Sequence, residues 1–279
     1  MNTLEAARRF FGDLVAATAK ATDPRIADAF ASVRREDFLG PGPWLARAGD
    51  GYVRTPNADP VLLYQDKLFA LLPDKGLNNG EPTLHARNLS AVAPRPGERV
   101  LQIGTGGGYY TAILAELVGH EGRVEGREVE PAMIAAATRN LADRTNVTVV
   151  GRSGIEPLLP ESDVIYVCAG ATAPVRVWLD SISIGGRLIF PLAPADDRGG
   201  MLLITRRGED QPVFAARFIS TVWNYPCMGA QDETEAAAIR EAFARRGARH
   251  VKSLRLAPEP PDETCWLAGD GWWLSTADI

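Results

Sequence analysis

Val100-Leu-Gln-Ile-Gly-Thr-Gly-Gly-Gly-Tyr109 is the stretch whose reading decides the fold. A short apolar run enters a glycine-rich turn. The residues beyond it, Tyr110 to Val118, place apolar side chains at Ala112, Ile113, Leu117 and Val118, which is helical spacing. Strand, glycine turn and helix in succession build a nucleotide cradle. Glycines let the backbone turn tightly and approach a ligand, and the N–H groups at a helix start face polar ligand atoms. The pattern Gly104-x-Gly106-x-Gly108 departs from the dinucleotide fingerprint: the third glycine comes one residue early, and Tyr109 stands where that motif has glycine. No Gly-Lys-Ser/Thr is present, which excludes a phosphate-binding Walker loop. Taken alone, the turn leaves a nucleotide site and a plain tight turn both open.

The next strand, Arg123-Val-Glu-Gly-Arg-Glu128, ends in a carboxylate 24 residues after Gly104. That offset suits an acid that accepts both hydroxyls of a ribose. Glu125 and Glu130 compete for the role. Glu128 is preferred because a helix starts near Pro131, with proline in its first turn.

Strands at 99–103, 123–128, 147–151, 163–168 and 187–191 alternate with helices at 110–118, 131–143 and 174–182, which implies a parallel, doubly wound sheet. Gly104, Glu128, Ser153 and Ala169 all follow strands, on the side where such sheets bind ligands. Helices are expected at 4–20, 24–35 and 83–93, the second opened by the cap Asp23-Pro24. Residues 36–82 read as a long irregular stretch, rich in Pro, Gly and Asp, of a kind more often functional than filler. Runs at 201–206 and 214–222 suit an antiparallel hairpin at the sheet edge. A helix capped at Asp232-Glu-Thr-Glu235 and strands at 251–256 and 271–275 complete the tail. Three segments result: 1–82, N-terminal helices and a loop covering the acceptor; 83–222, the cofactor-binding core; and 223–279, a small α+β extension.

The 279 residues are 46% hydrophobic and 23% charged, with a net charge of −5 and a pI near 5.4. No block of Lys and Arg marks a nucleic-acid surface. No apolar run is long enough to span a membrane. Cys168, Cys227 and Cys265 lie too far apart for a zinc site or a disulfide framework, so no metal is expected and a reducing cytoplasm fits.

Several segments resemble the protein-L-isoaspartate O-methyltransferases, enzymes that use S-adenosyl-L-methionine. Val100 to Ala115 is similar to the family's glycine motif, including the tyrosine after it; Asp163 to Ala169 and Gly185 to Pro191 resemble its fourth and fifth strands. Ala29 to Phe38, Pro82 to Ala86 and Ala216 to Ile219 resemble flanking segments, so the likeness covers roughly residues 22–222. It implies an α/β fold with a doubly wound, Rossmann-like methyltransferase sheet, mostly parallel with an antiparallel edge. It also implies cofactor contacts at Gly104, Thr105, Gly106, Gly108, Tyr109, Glu128, Val129, Ser153, Gly154 and Ala169, and acceptor-side residues at Asn79, Gly80 and His85.

Two departures bear on function. The family's Gly-Asp-Gly turn, whose carboxylate takes the adenine amine, reads Gly151-Arg-Ser-Gly154 here; counting from the strand puts Ser153 at the aspartate's place, and an offset of one puts Arg152 there. The family's Thr-Ile-Ser-Ala/Gln-Pro loop reads Asn78-Asn-Gly-Glu-Pro82, with Gly80 at the serine's place. Asn-Asn-Gly is a turn signal as well as a set of acceptor contacts, and the two readings are compatible.

Methyl transfer to a carboxylate needs no general base, because the nucleophile is already ionised; positioning and desolvation suffice. A phenol or alcohol acceptor needs a base, for which His85 is the candidate; a loop-orienting role is its alternative. Tyr109 and Tyr110 line the methionine end or pack, Tyr64 and Asp66 are possible acceptor contacts, and Trp272-Trp273 pack the tail or form a binding surface. The leading expectation is a cytoplasmic repair enzyme whose partner is a protein or peptide carrying an isoaspartyl carboxylate. The alternatives are a different peptide or small-molecule acceptor, a non-catalytic protein of the same fold and, among unrelated enzymes, a dehydrogenase.

Overall fold

The computed structural model describes residues 3–208, 213–223 and 225–279. In chain order the elements are α1 (Thr3–Ala19), α2 (Pro24–Ser32), β1 (Leu45–Ala48), β2 (Gly51–Arg54), β3 (Ala70–Leu72), β4 (Leu77–Asn78), α3 (Pro82–Val92), β5 (Arg99–Ile103), α4 (Tyr109–Val118), β6 (Arg123–Arg127), α5 (Pro131–Asn140), β7 (Val147–Val150), β8 (Ser162–Val167), β9 (Ala169–Gly170), α6 (Arg176–Ser181), β10 (Ile182–Leu192), β11 (Gly199–Arg207), β12 (Val213–Val222), β13 (Tyr225–Pro226), α7 (Glu233–Ala244), β14 (Ser253–Leu256), β15 (Cys265–Gly269) and β16 (Trp272–Ser275). The chain forms two compact units. One comprises Met1–Glu98 and Thr105–Arg152, the other Arg99–Gly104 and Ser153–Ile279.

The second unit carries strands in the order β15-β16-β14-β12-β11-β10-β8-β5. β5, β8 and β10 run parallel. β10, β11, β12, β14, β16 and β15 continue antiparallel. This is the expected parallel sheet with an antiparallel edge. The edge is broad because the C-terminal extension adds β14, β16 and β15 to it rather than folding apart. Register explains the apolar runs: Leu101, Ile165, Leu188 and Ile204 are successive partners across four strands, and all are fully buried. Strands covered on both faces lose the alternation of polar and apolar residues. Trp178 of α6 closes one side against Phe190, with ring centroids 5.6 Å apart. The extension is held by an aromatic cluster, Phe218, Phe243 and Trp266, with centroids 5.3–5.4 Å apart. Trp272 and Trp273 are buried, as tail packing requires. β15, Cys265-Trp-Leu-Ala-Gly269, has no counterpart among the strands that the sequence predicts.

The first unit pairs β6 with β7 in parallel and packs α4 and α5 on them, while α1, α2 and α3 pack on one another and α2 on α4. The caps act where the sequence places them: the Asp23 carboxylate accepts from the Arg25 amide, and Pro24, Pro82 and Pro131 open their helices. Residues 36–82 are more ordered than their composition suggests. They hold two short antiparallel ladders, β1–β2 and β3–β4, and three single-turn helices.

The order of this stretch comes from Arg35. Its guanidinium is completely buried and donates to the carbonyls of Leu63 at 2.7 Å, Gln65 at 2.6 Å and Lys67 at 3.1 Å. It also lies over the rings of Phe11, Phe69 and Tyr109 at 5.0–5.7 Å. Carbonyl dipoles and ring faces replace the water that a buried cation loses.

Candidate functional site

In the first unit, the glycine turn and the end of β6 meet. Gly106 and Gly108 have φ of +55° and +94°, a conformation open to glycine and strained for other residues. At Gly108 the space is also taken: a Cβ there would sit 2.8 Å from Leu141 Cδ1. Glu128 follows β6 directly. One carboxylate oxygen accepts from the Gly106 amide at 2.7 Å, and the other from the amides of Val129 and Glu130 at 2.8 and 3.0 Å. The oxygen that faces Gly106 retains an acceptor site, which a sugar hydroxyl can use. The competing acids are committed elsewhere: Glu125 to Arg127 at 2.8 Å, Glu130 to Lys75 at 2.5 Å. Val129 is exposed beside the carboxylate.

Thr105 does not point outward. It is buried, and its amide and hydroxyl both donate to the Arg127 carbonyl at 3.2 Å, which ties the turn to β6. Asn140 of α5 clamps the same turn through Nδ2 to the Gly107 carbonyl at 2.9 Å. Nothing in the sequence singles out Asn140, because its contact depends on how α5 packs.

The acceptor-side residues also lie in this unit. Asn78 Oδ1 accepts from the Gly80 amide at 2.9 Å, so the turn expected of Asn-Asn-Gly is present. Asn79 is buried; its Oδ1 accepts from the Phe69 amide at 2.7 Å, while Nδ2 has no hydrogen-bond partner among the described residues. The buried hydroxyls of Thr83 and Tyr109 are likewise unpartnered among them. Gly80 has φ +75°, and a Cβ on it would run into His85 Nε2, 2.9 Å from Cδ2 of the same ring and 3.0 Å from Tyr110 Cε2. His85 is stacked on Tyr110, and the Tyr110 hydroxyl donates to the Gly80 carbonyl at 3.1 Å. Burial drives the His85 pKa down to about 3, so the imidazole is neutral at pH 7.

Tyr109 packs edge-on against Phe30 and Phe38, and burial pushes its phenol pKa up. Tyr64 is buried and bonded to Glu36 and Arg8; burial, then the Glu36 carboxylate, raise its pKa to about 12 against the lowering effect of Arg8. Asp66 caps α3 through the Thr83 amide at 2.9 Å. Tyr64 and Asp66 are thus occupied in shaping the loop.

In the second unit, Gly104 has φ +81°, and a Cβ on it would sit 3.4 Å from Cys168 Cβ and 3.8 Å from the Ala169 amide nitrogen. Gly104 and Ala169 are therefore neighbours. The Ser153 hydroxyl accepts from the Ile155 amide at 3.3 Å, closing a small turn. Gly154 is buried, and its carbonyl accepts from Trp178 Nε1 at 2.7 Å. Ala169 pairs with Tyr225 through β9 and β13. Cys168 is half-buried. Among the described residues there is no group of His, Cys, Asp and Glu able to hold a metal ion, and no helix long and apolar enough to cross a membrane.

The family model for protein-L-isoaspartate(D-aspartate) O-methyltransferase matches residues 13–223. A protein-L-isoaspartate O-methyltransferase of Protochlamydia amoebophila is 28% identical over 214 residues, 75% of this chain and 90% of that protein. One from Pyrobaculum arsenaticum is 26% identical over 70% of this chain and 88% of its own length. Protein-L-isoaspartate O-methyltransferase 1 of Archaeoglobus fulgidus is 43% identical over 103 residues, which span 47% of that protein. A solved protein-L-isoaspartate O-methyltransferase superposes with a TM-score of 0.64 at 19% identity, covering 96% of this chain and 87% of that one. A Plasmodium falciparum structure described as a putative member, in complex with S-adenosyl-L-homocysteine, gives 0.60 at 16% identity, covering 81% and 99%.

Proposed function

Because the chain belongs to the protein-L-isoaspartate(D-aspartate) O-methyltransferase family, we propose that it is an S-adenosylmethionine-dependent carboxyl O-methyltransferase that esterifies an isoaspartyl carboxylate of a protein or peptide. The observation that carries this reading is Glu128, whose carboxylate spans the Gly106 amide and the start of α5. An acid fixed on a glycine turn is what a ribose needs. The cofactor, when bound, supplies an electrophilic methyl group on a sulfonium. The protein's share is binding and placement. Gly104, Gly106, Gly108, Glu128, Val129, Ser153, Gly154 and Ala169 are assigned to the cofactor, with Thr105 and Tyr109 holding the turn in shape. Ser153 offers the adenine amine a neutral acceptor, weaker than a carboxylate.

Asn79, Gly80 and His85 are assigned to the acceptor. The Asn79 amide and the Thr83 hydroxyl, buried without partners among the described residues, suit an anionic acceptor as donors. His85 holds the loop as a neutral group; a carboxylate nucleophile asks for no base. A cytoplasmic role in repairing damaged aspartyl sites follows from this substrate class, and the wide spacing of the three cysteines is consistent with a reducing compartment.

A second reading, methyl transfer to a different peptide or small-molecule acceptor, is favoured by Gly80. A serine cannot stand there while His85 lies where it does. Incubation with radiolabelled S-adenosylmethionine and an isoaspartyl peptide tests the first reading. A base-labile methyl ester on that peptide, absent from its aspartyl counterpart, is the expected result. No label on the peptide, with label on another carboxylate, transfers support to the second.

A further inference from the structure

Tyr109 and Tyr110 are adjacent in the first turn of α4, and their hydroxyls have different fates. That of Tyr109 is buried without a hydrogen-bond partner among the described residues. That of Tyr110 donates to the Gly80 carbonyl at 3.1 Å, across 30 residues of sequence. The Tyr110 ring is held from several sides: His85 stacks on it, and Phe30 and Tyr109 meet it edge-on with centroids 6.4 and 5.1 Å away. The backbone beneath it is equally fixed. The Gly108 amide donates to the Thr105 carbonyl and the Ala112 amide to the Gly108 carbonyl, both at 3.0 Å. Across the bond, Asn79 is gripped by Phe69: its amide donates to the Phe69 carbonyl at 2.9 Å, and its Oδ1 accepts from the Phe69 amide at 2.7 Å. Nδ2 of Asn79, buried and unpartnered among the described residues, is thereby fixed in direction.

We propose that Tyr110 is a positioning residue for methyl transfer: its hydroxyl ties the acceptor loop at Asn79-Gly80 to the helix that follows the cofactor turn, and so sets where the acceptor stands relative to the methyl group. The inference rests on the carboxyl-methyltransferase reading above and extends it. The links run within one compact unit, from Glu128 through the Gly106 amide to the turn, along α4 to Tyr110, and across to Gly80. Packing alone does not call for the hydroxyl, since phenylalanine fills the same space and stacks in the same way. Nor does one hydrogen bond contribute much to folding, at about 1 kcal/mol. Alignment weighs more. A carboxylate nucleophile needs no activation, so placement limits its reaction, and a displacement of about 1 Å costs on the order of a hundredfold in rate. Tyr110 acts through Gly80 and Asn79 rather than on the reacting atoms.

The test compares full-length Tyr110→Phe with the wild type in steady-state methylation of an isoaspartyl peptide, with rates normalised to the sites that S-adenosylhomocysteine titrates by calorimetry. The variant keeps the stacked ring and loses the bond. Its kcat falls about tenfold or more, while peptide KM and affinity for S-adenosylhomocysteine change less than about threefold. Amide hydrogen exchange of the protein without ligands speeds up in residues 78–82 and stays at the wild-type rate in α4. Tyr110→4-aminophenylalanine, which returns a donor to the ring, recovers most of kcat. A wild-type kcat in Tyr110→Phe overturns the positioning role alone. A fall in kcat matched by an equal fall in cofactor affinity overturns it too, since the hydroxyl then serves the fold, and so does a failure of the amino ring to restore turnover. A wild-type protein that forms no ester on any isoaspartyl peptide overturns the functional reading, and the positioning role with it.

Discussion

The imidazole of His85 lies flat against the ring of Tyr110, with centroids 3.5 Å apart and planes 10° from parallel. The same imidazole fills the space a side chain at residue 80 would require. Three residues thus form one unit: the Tyr110 hydroxyl holds the Gly80 carbonyl, His85 caps Gly80, and Gly80 has the left-handed φ that the turn demands. The glycine at residue 80 and the position of His85 are a single structural fact.

Gly80→Ala should therefore destabilise the protein for two separable reasons. Left-handed backbone on a residue with a Cβ costs about 1 kcal/mol, and the collision with the imidazole adds about 1–3 kcal/mol. In a His85→Ala background only the first cost remains. Urea unfolding of the wild type, both single variants and the double variant measures the coupling. Additive effects would show that His85 does not constrain residue 80.

Acid should expose the same histidine. The pKa of His85 in the folded chain, about 3, lies below its ordinary value of 6.5 because burial disfavours the charged ring. A folded pKa depressed in this way means that the unfolded chain binds the extra proton between these values. The stabilisation is full above pH 6.5 and is lost as pH falls toward 3. Linkage puts the loss at about 3 kcal/mol between about pH 7.5 and about pH 4.5. His85→Gln, which cannot titrate, should lose less over that interval. Parallel stability curves for the two proteins would rule this out.

Much of this was legible in the sequence, and for identifiable reasons. β5 spans Arg99–Ile103 as its apolar run predicts, and α4 begins one residue from the expected start because Gly108 punctuates it. Glu128 was preferred over Glu125 and Glu130 by position alone, and the structure gives the two competitors cations of their own. What stayed hidden depends on contacts distant in sequence. Arg35 sits among charged residues that look like a solvated helix end, yet its guanidinium is buried against carbonyls 28 to 32 residues away. The ladders within residues 36–82 are not legible because strands of two to four residues in a Pro- and Gly-rich stretch leave no periodicity to read.

Arg35 makes a sharp stability prediction. Arg35→Met keeps the apolar contacts with Phe11, Phe69 and Tyr109 but leaves the buried Leu63 carbonyl and the partly buried Gln65 and Lys67 carbonyls without their donor, at about 1–3 kcal/mol for the buried one and less for the others before relaxation. A net loss of about 3–5 kcal/mol by urea unfolding is expected. Arg35→Lys should recover only part of it, because one ammonium cannot reproduce the planar fork. Proteolysis of the variants should begin within residues 60–70. A variant as stable as the wild type would mean that the stretch is ordered by something else.

Glu128 decides the cofactor assignment. Its two oxygens serve opposite sides: one the Gly106 amide, the other the amides of Val129 and Glu130. Glutamine has one acceptor oxygen, so Glu128→Gln can satisfy only one side and also removes the charge that strengthens a bond to a sugar hydroxyl. Roughly tenfold weaker binding of S-adenosylhomocysteine is expected for Glu128→Gln and roughly a hundredfold for Glu128→Ala. Glu130→Gln disturbs only an exposed pair with Lys75, and Glu125→Gln a pair with the buried Arg127; both should change affinity less than about threefold. Calorimetry on the four variants gives the ranking. Equal losses at all three acids would leave Glu128 with no special claim on the ribose, and a loss confined to Glu125 or Glu130 would move the sugar to that residue instead.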